Sequence, residues 1–230
     1  MRRLMFVCLV TISMATPAFA QDKPVDIFLG GGALFPSSNF KNDFNTGGTF
    51  QIGATFWTKP TVGFQAEYDY GRMNGPDKTI TVTPAPGAGA GSQQLIQSNH
   101  QTHNLVFDVV GRSHNTDSAT NFYVLAGGGY YHRIIQLTSP AVGYTTICDP
   151  YWLVCYPAAV SVDNILGSRS SNDFGINFGG GVTFGHEAKF YAEIRYSYVW
   201  GPTITPPAGT TLANTSSNAT YWPLTFGVRF

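Results

Sequence analysis

Charged side chains are scarce in this sequence, since Asp, Glu, Lys and Arg make up 11% of its 230 residues. Two of the thirteen basic residues are Arg2 and Arg3, so the chain after the first twenty residues carries 11 basic and 13 acidic side chains, a formal charge of −2. Binding to nucleic acid requires a basic patch, and none is visible in the sequence. We therefore do not expect nucleic acid to be a partner.

The chain also lacks an apolar run of the roughly 20 residues that a transmembrane helix needs. The N-terminal apolar run covers residues 4 to about 10, follows two arginines, and precedes the small-residue signature Ala-Phe-Ala at 18–20. This order is typical of a secretory signal peptide. We predict that residues 1–20 are a signal peptide and that cleavage occurs between Ala20 and Gln21.

Cysteine is rare too, and only Cys148 and Cys155 remain after the predicted cleavage. An exported protein meets an oxidising environment, in which an even number of cysteines is typical of disulfide bonds. We therefore predict a disulfide between these two residues.

Glycine and aromatic side chains are abundant, with 26 glycines and 14% aromatic residues. Together with the low charge, this composition favours short strands and glycine turns over helices. Eight segments have about the 9 to 11 residues that a tilted strand needs to cross a membrane. They are residues 25–35, 48–58, 61–73, 101–112, 121–135, 172–185, 189–200 and 221–230.

The connections between these segments alternate in length. Those at 59–60, 113–120 and 186–188 are short, whereas those at 36–47, 74–100, 136–171 and 201–220 are long. Tight turns on one side and long loops on the other are typical of an outer-membrane barrel with both termini in the periplasm. We predict an all-β fold in which residues 21–230 form one eight-stranded antiparallel up-and-down transmembrane β-barrel.

Apolar and polar side chains alternate along the predicted strands. In 189–200, for example, Phe190, Ile194 and Tyr198 lie on the face opposite Glu193 and Arg195. A soluble barrel turns its apolar face inward and needs many charges outside. The 24 charged residues after the signal peptide are too few for that, because a good share of them fall in the predicted loops. We therefore predict that the apolar side chains contact lipid and that the polar ones fill a narrow interior.

The signal peptide, the eight alternating strands, the stretches LAGGGYY and FGGGV, and the terminal FGVRF resemble the small OmpA/OmpX-type outer-membrane β-barrel proteins of Gram-negative bacteria. The resemblance covers the whole chain after the signal peptide and is mainly architectural. It implies a location in the cell outer membrane, in contact with its lipid and lipopolysaccharide. We do not expect the peptidoglycan-binding domain that follows the barrel in some relatives.

The resemblance also assigns a role to the last strand, whose alternating apolar residues end on an aromatic side chain. In this family such a strand resembles the signal that the barrel-assembly machinery reads. The residues of the signal would be Trp222, Leu224, Phe226, Val228 and Phe230. The same strand is expected to pair with the first one and close the barrel.

Charged residues on the polar faces are predicted to point into the barrel. They are Glu67, Asp69, Asp108, Glu193, Arg195 and Arg229. Because buried charges must pair to offset desolvation, one interpretation is a structural network of ion pairs, and the other is a proton or ion path. The interior of an eight-stranded barrel is roughly filled by its own side chains, which favours the network.

Patterns for catalysis and metal binding are weak. His100 and His103 lie close together in sequence, but a spacing of three places them on opposite faces of a strand, which argues against a shared metal. Lipid A deacylases use a His and a Ser two residues apart, and no His-x-Ser occurs here. We expect no cofactor and no catalysis, with a lipid A-modifying acyl hydrolase and a narrow pore as the alternatives.

The long loops are the remaining place for a specific function. The segment ICDPYWLVCYP gathers apolar and aromatic side chains around the two cysteines. An exposed apolar loop is suited to adhesion or to binding a ligand, and it is equally suited to insertion into lipopolysaccharide or to packing on neighbouring loops. We therefore predict a structural or surface-interaction protein whose partner is a host or surface ligand.

Overall fold

The computed structural model describes residues 25–82, 92–113, 119–149, 154–185, 188–205 and 215–230. These residues form eleven strands and a short 3-10 helix at Ser38–Asn42. The strands are β1 (Val25–Pro36), β2 (Gly47–Lys59), β3 (Val62–Asn74), β4 (Lys78–Val82), β5 (Ser92–Arg112), β6 (Thr120–Asp149), β7 (Val154–Phe184), β8 (Lys189–Trp200), β9 (Thr203–Ile204), β10 (Thr215–Ser216) and β11 (Ala219–Arg229). In this part of the chain, no helix is long and apolar enough to cross a membrane.

Eight of the strands, β1, β2, β3, β5, β6, β7, β8 and β11, form a closed antiparallel ring. The first and last of them pair from Phe28↔Arg229 to Pro36↔Tyr221. The ring is completed where β3 pairs with β5, from Val62↔Gly111 to Asn74↔Asn99. Each ring strand therefore lies beside its neighbours along the chain, and the predicted eight-stranded up-and-down barrel is confirmed. The predicted signal peptide lies outside the described residues.

The two faces of the ring differ as the alternation predicts. On β8 the side chains of Tyr191, Glu193, Arg195, Ser197 and Val199 are buried inside the barrel. Large apolar side chains cover the outer wall instead and remain accessible. Examples are Phe107, Phe122, Phe174, Phe178, Ile194 and Phe226. In a transmembrane barrel, this outer wall contacts lipid.

The short connections and both ends of the described ring lie at one end of the barrel, which we call the turn end. Here Ile27 and Phe230 exchange backbone hydrogen bonds of 3.1 and 2.8 Å. The opposite end carries the long connections, and we call it the loop end. The small strand β4 pairs with the start of β5 at this end, and β9 pairs with β10.

The predicted loop at 136–171 is mostly strand. The pairing of β6 with β7 continues from the ring to Cys148↔Cys155 and Asp149↔Val154. A register shift between Leu137 and Thr138 marks the point where the two strands leave the ring, and such bulges bend a strand and increase its twist. We call residues 138–165 the projecting hairpin. At about 3.4 Å per residue, its described part on β6, residues 138–149, is roughly 35 to 40 Å long measured along the strand.

Candidate functional site

Arg195 lies at the centre of the barrel interior and contacts three carboxylates. Its guanidinium donates two hydrogen bonds to Glu67, one of them 2.7 Å long from Nη2 to Oε2, and its Nε donates to Glu193. Its Nη1 lies 3.3 Å from Oδ2 of Asp108. All four side chains are at most 4% exposed. Four of the six predicted interior charges thus lie together in one ion-pair network.

Glycines provide the space that this network occupies. A Cβ at Gly179 would come 2.7 Å from Cγ of Arg195, and a Cβ at Gly127 would meet the backbone and carboxylate of Asp108. Both glycines belong to the GGG stretches of the sequence. Their role is therefore to admit long inward side chains, and it requires no ligand.

Arg229 lies nearer the turn end and contacts neutral groups. Its Nη1 is 3.4 Å from Oγ1 of Thr55, and its Nη2 is 3.3 Å from Oε1 of Gln65. The guanidinium also lies over the ring of Phe28, 5.0 Å from the centroid. Such a cation–π contact stabilises a charge that is removed from water.

Asp69 is the remaining predicted interior charge, and it lies on the loop-end side of the network. Together with Asn104, Asn177 and Tyr221 it lines an internal cavity of about 20 Å³. Oδ1 of Asp69 makes no hydrogen bond to any described residue. The cavity has room for about one water molecule, so the described interior is filled rather than open.

Two phenylalanines cover the interior at the loop end. Phe40, in the short 3-10 helix, and Phe44 are buried against Met73 and Leu34. Their rings lie 5.3 and 5.1 Å from the ring of His100, which is fully buried. We call Phe40 and Phe44 the lid. It closes the barrel mouth with apolar contacts.

Polar contacts hold the surroundings of the lid in place. The N–H of Ser37 donates to the carbonyl of Thr220 at 2.9 Å, and the N–H of Asn45 donates to that of Asn74 at 2.8 Å. In the interior, Arg133 also pairs with Asp173 at 2.6 Å and donates to the carbonyl of Ser217 at 2.9 Å. The two backbone hydrogen bonds of Ser37 and Asn45 anchor both ends of the segment that carries the lid.

The lid and the Arg133–Asp173 pair are not among the features predicted from the sequence. The available signal was a pair of phenylalanines four residues apart in the otherwise polar segment PSSNFKNDFN. Apolar side chains at that spacing lie on the same side of a helical turn. The spacing of three residues predicts that His100 and His103 lie on opposite faces of a strand. In the structure, His100 lies inside the barrel and His103 lies on the outer wall.

The last strand places its predicted signal residues on the outer wall. Phe226 and Phe230 are each 57% exposed, and Trp222 is 37% exposed. Leu224 and Val228 continue the same face and are partly buried. Since β11 pairs with both β1 and β8, this strand closes the ring.

The two cysteines lie near the far end of the projecting hairpin, where they are directly opposite each other in the pairing of β6 with β7. The tip residues between them at 150–153, and with them part of the predicted apolar segment, lie outside the described residues. Among the described residues, no group of three or more His, Cys, Asp or Glu side chains could hold a metal ion.

A closed ring with an apolar outer wall and a filled polar interior defines a transmembrane β-barrel protein. Residues 6–230 match the family model described as the outer membrane protein beta-barrel domain. The chain belongs to this family and is a protein of the outer membrane. No curated protein sequence matches it.

Several solved structures are similar to this chain over most of their length. Neisserial surface protein A (NspA) is 15% identical with a TM-score of 0.47, covering 90% of this chain and 96% of its own. The attachment invasion locus protein Ail of Yersinia pestis, solved with the heparin analogue sucrose octasulfate, is 14% identical with a TM-score of 0.40 and the same coverage. The N-terminal β-barrel domain of Pseudomonas aeruginosa OprF is 10% identical with a TM-score of 0.41, covering 91% of this chain and 100% of its own.

Proposed function

We propose that this protein is a structural and surface-interaction protein of the outer membrane, without catalysis, and that the projecting hairpin carries the interaction. The observation that supports this proposal is the contrast between a filled barrel and a long hairpin that extends beyond it. The loop end then faces the cell exterior, where the hairpin contacts a host or surface ligand.

The projecting hairpin offers both open strand edges and apolar side chains. The pairing of β5 with β6 stops at Gln97↔Thr138, and that of β7 with β8 stops at Phe174↔Trp200, so beyond Thr138 the described hairpin has no strand beside either edge. Val142, Val162 and Ile165 are 68%, 41% and 58% exposed. Open edges add strands from a partner, and exposed apolar patches mark interaction sites.

The chemistry of this surface indicates an apolar or extended protein partner. Residues 138–165 contain the acidic Asp149 and Asp163 and no basic residue. A polyanion would be repelled by this charge rather than attracted. The partner therefore binds through backbone hydrogen bonds and apolar contacts.

The test is to shorten the projecting hairpin while leaving the ring intact. Ala141 and Val162 are paired, so residues 142–161 are replaced with Asn-Gly, which forms a two-residue turn between antiparallel strands. We expect attachment of whole cells to epithelial cells to fall at least severalfold, while the heat-modifiable folded band on gels is unchanged.

A matched control shortens a second hairpin at the loop end, formed by β4 and β5. Thr79 and Leu95 are paired in β4 and β5, and replacing residues 80–94 with Asn-Gly should leave attachment unchanged. Equal attachment by wild-type cells and cells with the shortened projecting hairpin would overturn the proposal. Equal losses from both deletions would show that the projecting hairpin has no special role.

The pore and the acyl hydrolase make different predictions. The network around Arg195 and the lid above it leave the described interior without an open path, so we expect no conductance in planar bilayers above that of lipid alone. We also expect an unchanged lipid A mass spectrum on overexpression. A stable single-channel current would support the pore, and loss of an acyl chain would support the enzyme.

We further propose that the last strand is the address read by the barrel-assembly machinery. Phe226 and Phe230 lie on the same outer face and are equally exposed, which makes them a matched pair. We expect Phe230→Ala to leave export intact while outer-membrane yield falls and periplasmic aggregates appear, with a smaller loss for Phe226→Ala. Unchanged yield for Phe230→Ala would contradict this role.

The signal peptide and the disulfide are also part of the proposal. Antiparallel partners have Cα atoms about 4.5 to 5.5 Å apart, which is within the range that a disulfide spans. Cys148 and Cys155 are such partners. N-terminal sequencing of the exported protein should begin at Gln21, and thiol titration of the unfolded, unreduced protein should find no free cysteine.

A further inference from the structure

Two histidines lie side by side on the outer wall. His103 of β5 and His132 of β6 are directly paired, and directly opposite residues of an antiparallel pair share one face of the sheet. The centroids of their rings are 6.3 Å apart, and both side chains are half-buried. We call these two residues the histidine pair.

Hydrogen bonds orient both rings of the histidine pair. Nδ1 of His103 lies 2.7 Å from the hydroxyl of Tyr68 on β3, and Nδ1 of His132 lies 2.6 Å from Oδ1 of Asn172 on β7. The strands follow one another in the order β3, β5, β6, β7, so the two Nδ1 atoms point away from each other. Nδ1 and Nε2 lie on nearly opposite sides of an imidazole. Both Nε2 atoms therefore face the gap between β5 and β6.

The same hydrogen bonds leave a lone pair on each Nε2 atom. An amide oxygen only accepts hydrogen bonds, so His132 carries its proton on Nδ1. The hydroxyl oxygen of Tyr68 can accept from Nδ1 of His103 in the same way. Among the described residues, neither Nε2 atom has a hydrogen-bond partner. Histidines that bind a metal through one nitrogen donate the other N–H to an oxygen in this manner.

The separation of the rings fits one shared ion. Metal–nitrogen distances of about 2.0 to 2.1 Å place the centroids of two imidazoles on one ion at most roughly 6.5 Å apart. The observed 6.3 Å is within this limit, so a single ion can reach both Nε2 atoms without movement of either strand. Imidazole suits Zn²⁺, Ni²⁺ and Cu²⁺, and the affinity is generally greatest for Cu²⁺.

We propose that the histidine pair binds one divalent transition-metal ion through both Nε2 atoms, with water in the remaining positions, and that the ion clamps β5 to β6. Polar atoms without partners are unfavourable on a wall that contacts lipid, and the ion satisfies both lone pairs. Tyr68 and Asn172 are positioning residues, which hold the rings through Nδ1. The site lies on the ring and apart from the projecting hairpin, so its failure and that of the surface-interaction proposal are distinguishable.

The experiment titrates Cu²⁺ into the untagged folded protein in phosphatidylcholine nanodiscs. Pulsed electron paramagnetic resonance counts the imidazoles on the ion through their remote nitrogens. We expect one Cu²⁺ per barrel that carries two imidazoles. His103→Gln and His132→Gln should each weaken binding at least about a hundredfold, because losing a ligand costs more than losing its outer-shell partner, which costs about 10- to 100-fold.

A positioning variant keeps both ligands and removes one orienting hydrogen bond. Tyr68→Phe should bind Cu²⁺ about tenfold more weakly, still through two imidazoles, while urea unfolding without metal is unchanged. Tyr196→Phe is the matched control. It removes a hydroxyl from the outer wall of β8, where the ring of Tyr196 packs 4.9 Å from that of Trp222, and it should bind Cu²⁺ as wild type does.

The clamp has a second readout in stability. An ion that binds the folded ring and not the unfolded chain stabilises the fold by mass action. Saturating Zn²⁺ should therefore raise the urea midpoint of wild type in lipid vesicles and leave that of His132→Gln unchanged. An equal midpoint with and without Zn²⁺ in wild type would exclude the clamp.

Three results of the titration would overturn the proposal. Equal affinity of wild type and His132→Gln would exclude the shared site. Two ions in wild type with one imidazole each, and one ion in each single variant, would show that the histidines act independently. Equal losses in Tyr68→Phe and Tyr196→Phe would remove the positioning role of Tyr68.

Discussion

The interior of the barrel and its outer wall are built by the same eight strands, yet they follow opposite rules. Inside, Arg195 and three carboxylates are almost inaccessible and are stabilised by one another. Outside, Phe174 is 71% exposed and is left mostly uncovered by the rest of the protein. In water, the apolar wall would drive association. The difference shows that lipid is the solvent of the outer wall, while the interior depends on polar pairing.

If polar pairing stabilises the interior, then removing the central cation should have the largest effect. Arg195→Met leaves Glu67, Asp108 and Glu193 buried without their partner, and breaking a buried ion pair in this way costs about 3 to 5 kcal/mol. Urea unfolding of the barrel refolded in lipid vesicles measures the loss.

Arg229→Met is the matched control for that variant. Arg229 is also buried but contacts neutral groups and aromatic rings, so its removal leaves no unpaired carboxylate among the residues it touches. We expect a clearly smaller loss than for Arg195→Met. Equal losses in the two variants would mean that side-chain volume, and not charge pairing, holds the interior together.

The outer wall should respond to charge according to depth. Ile194 lies midway along β8 and is 49% exposed, so Ile194→Arg should cost roughly 2 to 4 kcal/mol, whereas Val62→Arg near the turn end should cost about 0 to 1 kcal/mol. Unfolding in lipid vesicles again gives the two values. Equal costs would mean that the environment of the outer wall does not change with depth, which contradicts a bilayer.

A substitution on the inward-facing side of β8 is not a suitable control for that experiment. The alternation of the sequence suggests that Ser197→Arg should cost less than Ile194→Arg, because Ser197 faces the interior. In the structure, however, Ser197 is 5% exposed beside a cavity of about 20 Å³. An added arginine would overpack the interior and repel Arg195.

The inward and outward faces of the strands also show which features can be predicted from the sequence. Alternation in β3 and β8 identifies strands, faces and the inward charges, because a side chain's side of the sheet follows directly from its position. The projecting hairpin was missed because Pro140 and Pro157 interrupt its pattern and argue against a central strand. Proline is tolerated there since both hairpin edges lack a partner strand in the described structure. The lid was missed because its contacts join residues distant in sequence, such as Phe40 and His100.

Removal of the lid tests whether the lid alone closes the interior or whether the Arg195 network beneath it closes the interior as well. In a variant with Phe40→Ser and Phe44→Ser, His100 should become reactive to diethyl pyrocarbonate, as mapped by mass spectrometry of its peptide. Conductance should stay at the level of lipid alone, because the Arg195 network still fills the barrel. A stable current in this variant would show that the lid is the only barrier, and an unreactive His100 would show that the lid contributes no cover.

The smallest effect on the barrel is expected at the cysteine pair. Cys148 and Cys155 are separated by six residues, so their proposed disulfide closes a small ring, for which the chain-entropy model gives about 2 to 3 kcal/mol. The ring strands are held by complete pairing on both sides, while the pair lies near the far end of the projecting hairpin. The stabilisation therefore stays in the hairpin.

We thus expect Cys148→Ala with Cys155→Ala to leave the heat-modifiable folded band and urea unfolding unchanged, while protease added to whole cells cleaves the hairpin faster. Cys148→Ser with Cys155→Ser is the polar control and should behave in the same way, because the loss of the bond is common to both variants. Attachment through the hairpin should weaken in parallel with the cleavage. A barrel that fails to fold without these cysteines would show that the hairpin is coupled to the ring, and the separation between an inert barrel and an interacting hairpin would then be wrong.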